Sequence, residues 1–372
     1  MKSADILIIG AGIVGCSTAV QLSQRGKSVI VLERDVAGGQ ASGVNAGGVR
    51  RLLRDTREIP LSLASQELWH QIESLVGIDC GFRPCGQISL AENEQEMRIL
   101  EERVGLLKSL GYIHEELVSK KQLRYIVPNV APHCVGGLYC PEDGAAEPYK
   151  TTRAFFDKAK QLGAQLYEYH PVLSIEQNTG KWVAVVGNKR FSAPVLVNCA
   201  GAWGAHIAEM MGDYAPLYKK ASVMTVTART AKFLEPVVLL EGRKLSFKQM
   251  ANGTVVIGGG FDAKFNKETE KSQIDFGELK TMAQTVIDLF PFMKQIPIVR
   301  WWPGIIGRMP DNIPVIGPSK NAIDVYHAFG FSGHGFQLGP IIGQILSELI
   351  LDRRPSIPID SFLIDRFSKD NQ

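Results

Sequence analysis

The stretch Ile6-Leu7-Ile8-Ile9-Gly10-Ala11-Gly12-Ile13-Val14-Gly15 runs from four consecutive apolar residues straight into a glycine-rich turn. An all-apolar run of that length fits a central parallel strand covered on both faces. Beyond the turn, Ala19, Leu22 and the stop at Gly26 predict a helix, and Val29-Ile30-Val31-Leu32 predicts a second strand closing on Glu33. These pieces make one βαβ unit. Glu33 lies 18 residues beyond Gly15, where an acidic side chain ending the second strand can accept both hydroxyls of an adenosine ribose. Gly10 makes the tight turn, Gly12 lets backbone amides reach a pyrophosphate, and Gly15 lets helix and strand pack. The helix N-terminus at Ile13 and Val14 adds positive potential. An adenine dinucleotide is the ligand this pattern predicts.

The chain around this unit has 372 residues, about two domains' worth and far too many for a binding peptide. Lys plus Arg total 41 against 38 Asp plus Glu, a balance that points to no nucleic acid and no acidic lipid. With 45% hydrophobic and 21% charged residues, the composition is that of a globular chain and not a disordered one. Glycine is in mild excess at 37 residues, about 10% against a usual 7%. Six cysteines in this length do not make a dense disulfide framework, so a reducing, cytoplasmic setting is expected. The opening Met1-Lys2-Ser3-Ala4-Asp5 does not read as an export signal. The longest apolar stretch, 338–351, is interrupted by Pro340, Gln344 and Glu348 and falls short of the ~20 residues of a spanning helix.

Farther along, period-3.6 spacing predicts helices over 57–76, 94–110 and 151–162. Residues 165–197 alternate β-prone runs with turns and read as a small meander returning to the main sheet. From 216 to 260 the pattern is again β, followed by a polar stretch, 262–273, expected to be a solvated loop without function, and then a helix to Phe290. The fold class expected is α/β plus α+β: a discontinuous Rossmann-like dinucleotide-binding domain with an inserted, mostly antiparallel β-sheet substrate domain. Residues 1–85, 145–212 and 305–372 would form the first, and 86–144 with 213–304 the second.

A second loop, Gly38-Gly39-Gln40-Ala41-Ser42-Gly43-Val44-Asn45-Ala46-Gly47-Gly48, suits backbone lying flat along a ligand extending beyond the pyrophosphate. This favours FAD over NAD. At Asn198-Cys199-Ala200-Gly201-Ala202-Trp203-Gly204 another strand ends in small residues, a third close approach. Near the end, Gly330-Phe331-Ser332-Gly333-His334-Gly335-Phe336-Gln337-Leu338-Gly339-Pro340 leads from a strand into a helix. The N-terminus of that helix would favour an anionic reduced flavin. Gly333 and Gly335 do not signal a second dinucleotide site, because no strand ending in an acidic residue follows.

With these loops, and with Trp302-Pro303-Gly304, Pro310-Asp311 and Pro314-Val315-Ile316-Gly317, the chain resembles the D-amino acid oxidase superfamily of FAD enzymes over nearly its whole length. Within it, the chain is most similar to β subunits of hetero-oligomeric amino-acid dehydrogenases and oxidases: sarcosine oxidase, L-proline dehydrogenase, D-hydroxyproline dehydrogenase and opine oxidase. The resemblance implies oxidation of the C–N bond of an amino acid or secondary amine by hydride transfer to flavin N5. It also implies a second flavoprotein or iron–sulfur subunit as partner. A self-sufficient glycine- or sarcosine-type oxidase using O₂ is the alternative, and a non-catalytic flavoprotein that stabilises a partner is the alternative of another class.

The residues expected to border FAD are Gly10, Gly12, Ile13, Val14, Gly15, Glu33, Arg34, Ala41, Ser42, Asn45, Ala46, Gly47, Gly48, Val172, Ala200, Gly201, Trp203, Gly333, His334, Gly335, Phe336 and Gln337. The flavin itself carries the chemistry, with His334 the one side chain considered as an acid, base or positioning group. Family members that tether FAD do so through a cysteine before the Pro-Asp pair, and 304–311 contains none. FAD is therefore expected to be non-covalent. Pro148 stands where sarcosine oxidase β subunits attach FMN through a histidine, so covalent FMN is not expected, while an FMN at a subunit interface stays open. Ile306 stands where glycine oxidases carry a carboxylate-binding arginine, leaving Arg308, Arg50 and Arg51 as candidates for that role. Cys80 and Cys85 have the spacing of a redox pair, but Pro84 breaks the helix such a pair needs, so both read as structural thiols. Cys134 and Cys140 with His133 are too irregular for zinc. Trp301, Trp302 and Phe331 read as core or pocket wall.

Overall fold

A computed structural model describes residues 1–367. The opening strand Ile6–Ile9 lies inside a six-stranded sheet whose spatial order is Val315–Pro318, Val325–Phe329, Val195–Asn198, Ile6–Ile9, Val29–Leu32, Gln165–Tyr167. All neighbours are parallel except the first pair. Every residue of Ile6–Ile9 and Val29–Leu32 is buried, because alternate side chains serve two different cores. Ile6, Ile8, Val29 and Val31 pack under the helices Ile13–Gln24, Pro148–Gln161 and Gly335–Leu351. Leu7, Ile9, Ile30 and Leu32 face Ile175, Trp182, Ala184 and Phe191 on the other side.

That second core corrects the reading of the meander. Its strands Ser174–Asn178, Lys181–Val186 and Lys189–Ala193 do not join the main sheet but form their own four-stranded sheet, completed by Lys2–Ser3 in parallel with Lys189–Ala193. Only the flanking Gln165–Tyr167 and Val195–Asn198 belong to the main sheet. Two-residue pairing with a chain terminus leaves no periodic signal to read.

Helices Ile13–Gln24 and Gly335–Leu351 cross at small residues. A Cβ on Gly339 would stand 2.8 Å from Ile13 Cγ2, and one on Gly343 would stand 2.2 Å from Ser17 Oγ and 2.6 Å from the Ser17 carbonyl carbon. The glycines thus let the last long helix sit against the first, over the carboxyl edge of the sheet. The other helices fall close to expectation, at Ile59–His70 with Ile72–Val76, Glu94–Ser109 and Pro148–Gln161.

The second large layer is a ten-stranded, mostly antiparallel sheet, with one parallel pair, Gln87–Ala91 with Val237–Leu240. Its longest strands, Tyr218–Thr227 and Ile298–Arg308, pair along most of their length. The polar stretch expected as a loop is a hairpin of this sheet, with strands Asp262–Asn266 and Lys271–Gln273. Among the described residues, no helix is long and apolar enough to cross a membrane.

Candidate functional site

Four parallel strands end at Gly10, Glu33, Cys199 and Gly330, and all four ends open on one cavity of about 630 Å³, the crevice where open α/β sheets take their ligands. The turn is shaped by sterics. Gly10 has φ +102°, and a Cβ there would stand 2.5 Å from the Cys199 carbonyl oxygen. Gly15 does not line the cavity, because its Cα faces the turn, where a Cβ would be 2.0 Å from the Gly10 carbonyl oxygen. Gly12 and Ile13 expose the start of helix Ile13–Gln24 to the cavity, and Gly335 and Phe336 do the same for helix Gly335–Leu351. Two helix N-termini therefore aim partial positive charge at one space.

The Glu33 carboxylate closes the adjacent corner, accepting from Ala11 N at 2.8 Å and Asp35 N at 2.9 Å. Burial raises its pKa, against those two hydrogen bonds. Ser42, in the second glycine loop, accepts from Ile13 N at 3.0 Å. Asn45 folds its own loop, donating to the Ala41 and Ser42 carbonyls and accepting from Gly47 N at 2.7 Å.

Of the residues expected at the cofactor, Gly10, Gly12, Ile13, Val14, Glu33, Arg34, Ala41, Ser42, Asn45, Val172, Ala200, Gly201, Trp203, Gly333, Gly335 and Phe336 line this cavity. Phe331 is part of its wall as well. Ala46 lines a smaller neighbouring cavity of about 310 Å³, which shares Asn45 with the first and is walled by Pro148, Met250, Val256 and Trp302. Gly47 and Gly48 lie behind it, Gly48 pairing with Ala145 in a two-residue strand.

His334 and Gln337 line neither cavity. His334 Nδ1 is 2.7 Å from Glu58 Oε2, and burial, with Arg54 and Arg50 nearby, pushes its pKa down to about 4. The imidazole is then neutral near pH 7 and donates to the Glu58 carboxylate. Gln337 accepts from Arg54 at 3.4 Å and donates to the Ser62 carbonyl. Arg54 is almost wholly buried, with Nη1 lacking a partner, and burial lowers its pKa to about 9.

The three arginines considered for a carboxylate are outside both cavities. Arg51 is held by buried Asp143 at 3.1 Å and by Glu142 at 2.9 Å. Arg50 donates to the Leu52 carbonyl. Arg308, one residue past cavity-lining Gly307, has a buried Nε with no hydrogen-bond partner among the described residues.

Among the charged residues at these cavities, Lys248, Lys219 and Glu270 escaped the sequence reading. Lys248, on strand Ser246–Gln249, lines the smaller cavity, with Nζ 3.4 Å from the Ala146 carbonyl oxygen, and burial lowers its pKa to about 8. Lys219 and Glu270 line the larger one. The polar stretch 262–273, to which the sequence reading assigned no function, brings Glu270 to the larger cavity. Glu270 accepts from Trp203 Nε1 at 2.8 Å, from Arg34 at 3.1 Å and from Lys219. Burial opposes its ionisation, but the hydrogen bonds from Lys219, Trp203 and Arg34 hold its pKa down to about 2. Cys80 and Cys85 are free thiols, and burial pushes Cys80 up to about 11.

A model of FAD-dependent oxidoreductases, the DAO family, matches residues 5–349. The chain belongs to this FAD-dependent oxidoreductase family. As a DAO-family enzyme it is similar to glycine oxidase of Geobacillus kaustophilus, 22% identical with 97% of each chain covered. The solved structure of that enzyme superposes at a TM-score of 0.89 over 99% of this chain and 100% of that one. L-proline dehydrogenase from P. horikoshii, 25% identical, superposes at 0.88 over 98% of both. Human mitochondrial dimethylglycine dehydrogenase is 26% identical over 98% of this chain. The chain spans about half the length of that relative and of the bifunctional ThiO/ThiG proteins it also matches. The family cofactor fits what the residues form: a crevice of about 630 Å³, two helix N-termini, and a turn that a single Cβ at Gly10 would block.

Proposed function

We propose that this DAO-family enzyme oxidises the carbon–nitrogen bond of an amino acid or secondary amine of the proline, hydroxyproline, opine or sarcosine type, as the catalytic β subunit of a hetero-oligomeric dehydrogenase. The observation that carries the reading is the crevice itself, where the glycine turn, Glu33, the Ser42 loop and two helix N-termini converge. FAD, when bound, supplies the hydride acceptor, N5, for the carbon bearing the amine.

The remaining work falls to the chain. Glu33 would hold the ribose hydroxyls, and Gly10 and Gly12 would leave room for the pyrophosphate at the start of Ile13–Gln24. The loop through Asn45 to Gly48 would border the ring end. The N-terminus of Gly335–Leu351 and the buried ammonium of Lys248 favour an electron-rich cofactor. Neutral His334, fixed by Glu58, positions the loop that precedes this helix. Arg308 is the carboxylate-binding candidate best supported, since its Nε has no hydrogen-bond partner among the described residues whereas Arg51 is committed to Asp143.

The six strands of the main sheet fall within 1–85, 145–212 and 305–372, apart from the undescribed residues 368–372, which supports the proposed division into cofactor and substrate domains. The strand Ile298–Arg308 runs through the boundary and joins them. The L-proline dehydrogenase likeness over both full lengths supports the dehydrogenase reading. The glycine oxidase likeness supports the rival, a self-sufficient oxidase.

One experiment separates the readings. Purified protein is denatured to release non-covalent FAD, and holoenzyme is mixed anaerobically with a panel of amino acids and secondary amines while flavin absorbance is followed. Bleaching by a panel member is expected, and no bleaching by any of them leaves only the non-catalytic role. Peroxide formed in air by the isolated chain would favour the oxidase.

A further inference from the structure

We propose that Glu270 is a clasp for the cofactor, a residue that ties the hairpin of the large sheet across the rim of the dinucleotide cavity and slows release of FAD. The inference rests on the FAD reading of that cavity.

Glu270 joins groups that the rest of the fold keeps on separate elements. Arg34 follows the strand Val29–Leu32 and Trp203 follows Val195–Asn198, both at the carboxyl edge of the main sheet, while Lys219 belongs to the strand Tyr218–Thr227 of the other sheet. One carboxylate accepts from all three. The cluster is stiffened by stacking, with the Arg34 guanidinium carbon 3.6 Å and Lys219 Nζ 4.9 Å from the Trp203 ring centre. All four side chains line the cavity, yet those of Arg34, Lys219 and Glu270 keep 34%, 24% and 33% of their surface exposed. They therefore sit at its rim, between the interior and solvent.

The strands of the hairpin are short, five and three residues. Its base is fixed to Tyr218–Thr227 through Asp262 and Ala263 and by the ion pair of Asp262 with Lys220, which leaves the Glu270 contacts as the tie at its far end. Ion pairs at a partly exposed rim are weak enough to open on the time scale of ligand exchange. An opened clasp also frees Arg34 and Lys219 to meet the incoming pyrophosphate.

The test uses FAD release from holoenzyme, followed by free-flavin fluorescence after dilution, for wild type and Glu270→Gln, with folding checked by circular dichroism. The expected result is release roughly five- to tenfold faster in Glu270→Gln, and wild-type release that accelerates between about 0.05 and about 0.5 M NaCl as screening weakens the pairs. A folded Glu270→Gln protein that releases FAD at the wild-type rate, or more slowly, overturns the clasp. If Glu270→Gln does not fold, the wild-type salt series decides, and a salt-independent rate overturns it. Wild-type protein that carries no FAD overturns the cofactor reading itself, a separate failure seen before any variant is compared.

Discussion

Ser42 Oγ accepts a hydrogen bond from the backbone nitrogen of Ile13 at 3.0 Å, across 29 residues of sequence. The first N–H of the helix Ile13–Gln24 is thus met by a side chain from the second glycine loop, so the two glycine loops are held in register. Ser42→Ala removes this bond in a site that stays otherwise intact. FAD affinity of the apoprotein, titrated by flavin fluorescence, should fall about three- to tenfold, the size of one lost hydrogen bond of ~1 kcal/mol. Unchanged affinity would show that Ser42 does not organise the site.

Lys248 is an ammonium kept in a buried place with no ion-pair partner among the described residues. Its pKa, about 8 against an ordinary 10.5, means folding disfavours its charged form, so it costs stability that is regained as pH rises from about 8 toward 10.5. Lys248→Met should therefore melt no lower than wild type at pH 7, and turnover should fall by at least about tenfold with the loss of a cation beside the Asn45 wall. In wild type the same dependence should appear as turnover that declines above about pH 8. A Lys248→Met enzyme of full activity would remove this residue from the mechanism.

The His334–Glu58 pair makes a prediction about acid. The folded pKa of His334, about 4, lies below the ordinary 6.5, so between those values the unfolded chain takes up a proton that the native chain refuses. Stability is then lost as pH falls from about 6.5 to about 4, by about 2–3 kcal/mol at roughly 1.4 kcal/mol per unit. The Glu58 carboxyl, held low by His334 against the effect of burial, loses stability in the same direction. Urea unfolding at a series of pH values should show this slope, and His334→Gln should flatten its upper part.

Gly343 faces Ser17 where the first and last long helices touch, with a Cβ already within 2.6 Å of backbone. Gly343→Ala should lower the melting temperature, at a cost of about 1–3 kcal/mol from overpacking. Gly105, where an added Cβ meets nothing within 4 Å, is the matched control, and Gly105→Ala should stabilise its helix slightly.

What could be read from the sequence was whatever lay contiguous in it. Ile6 to Glu33 carries strand, turn, helix and acidic strand end in one run, and the loops at Ser42, Ala200 and Gly335 each announce a backbone approach by composition alone. Lys248 and Glu270 could not be found that way. One sits in an ordinary strand pattern, and the other in a polar stretch whose composition is that of any solvated turn. Their places at the cavities come from the pairing of the large sheet, whose hairpin brings Glu270 to Arg34 over 236 residues. The meander does return to the main sheet at Val195–Asn198, but its separate sheet was not legible for the same reason, since its extra partner is the chain's own Lys2–Ser3.

The join between Ile13–Gln24 and Gly335–Leu351 bears on how the enzyme is made. The crevice is lined by residues from the first fifty positions and by others around 330–336. It is therefore complete only once the strand Val325–Phe329 has paired with Val195–Asn198 and the helix after it has docked on Ile13–Gln24.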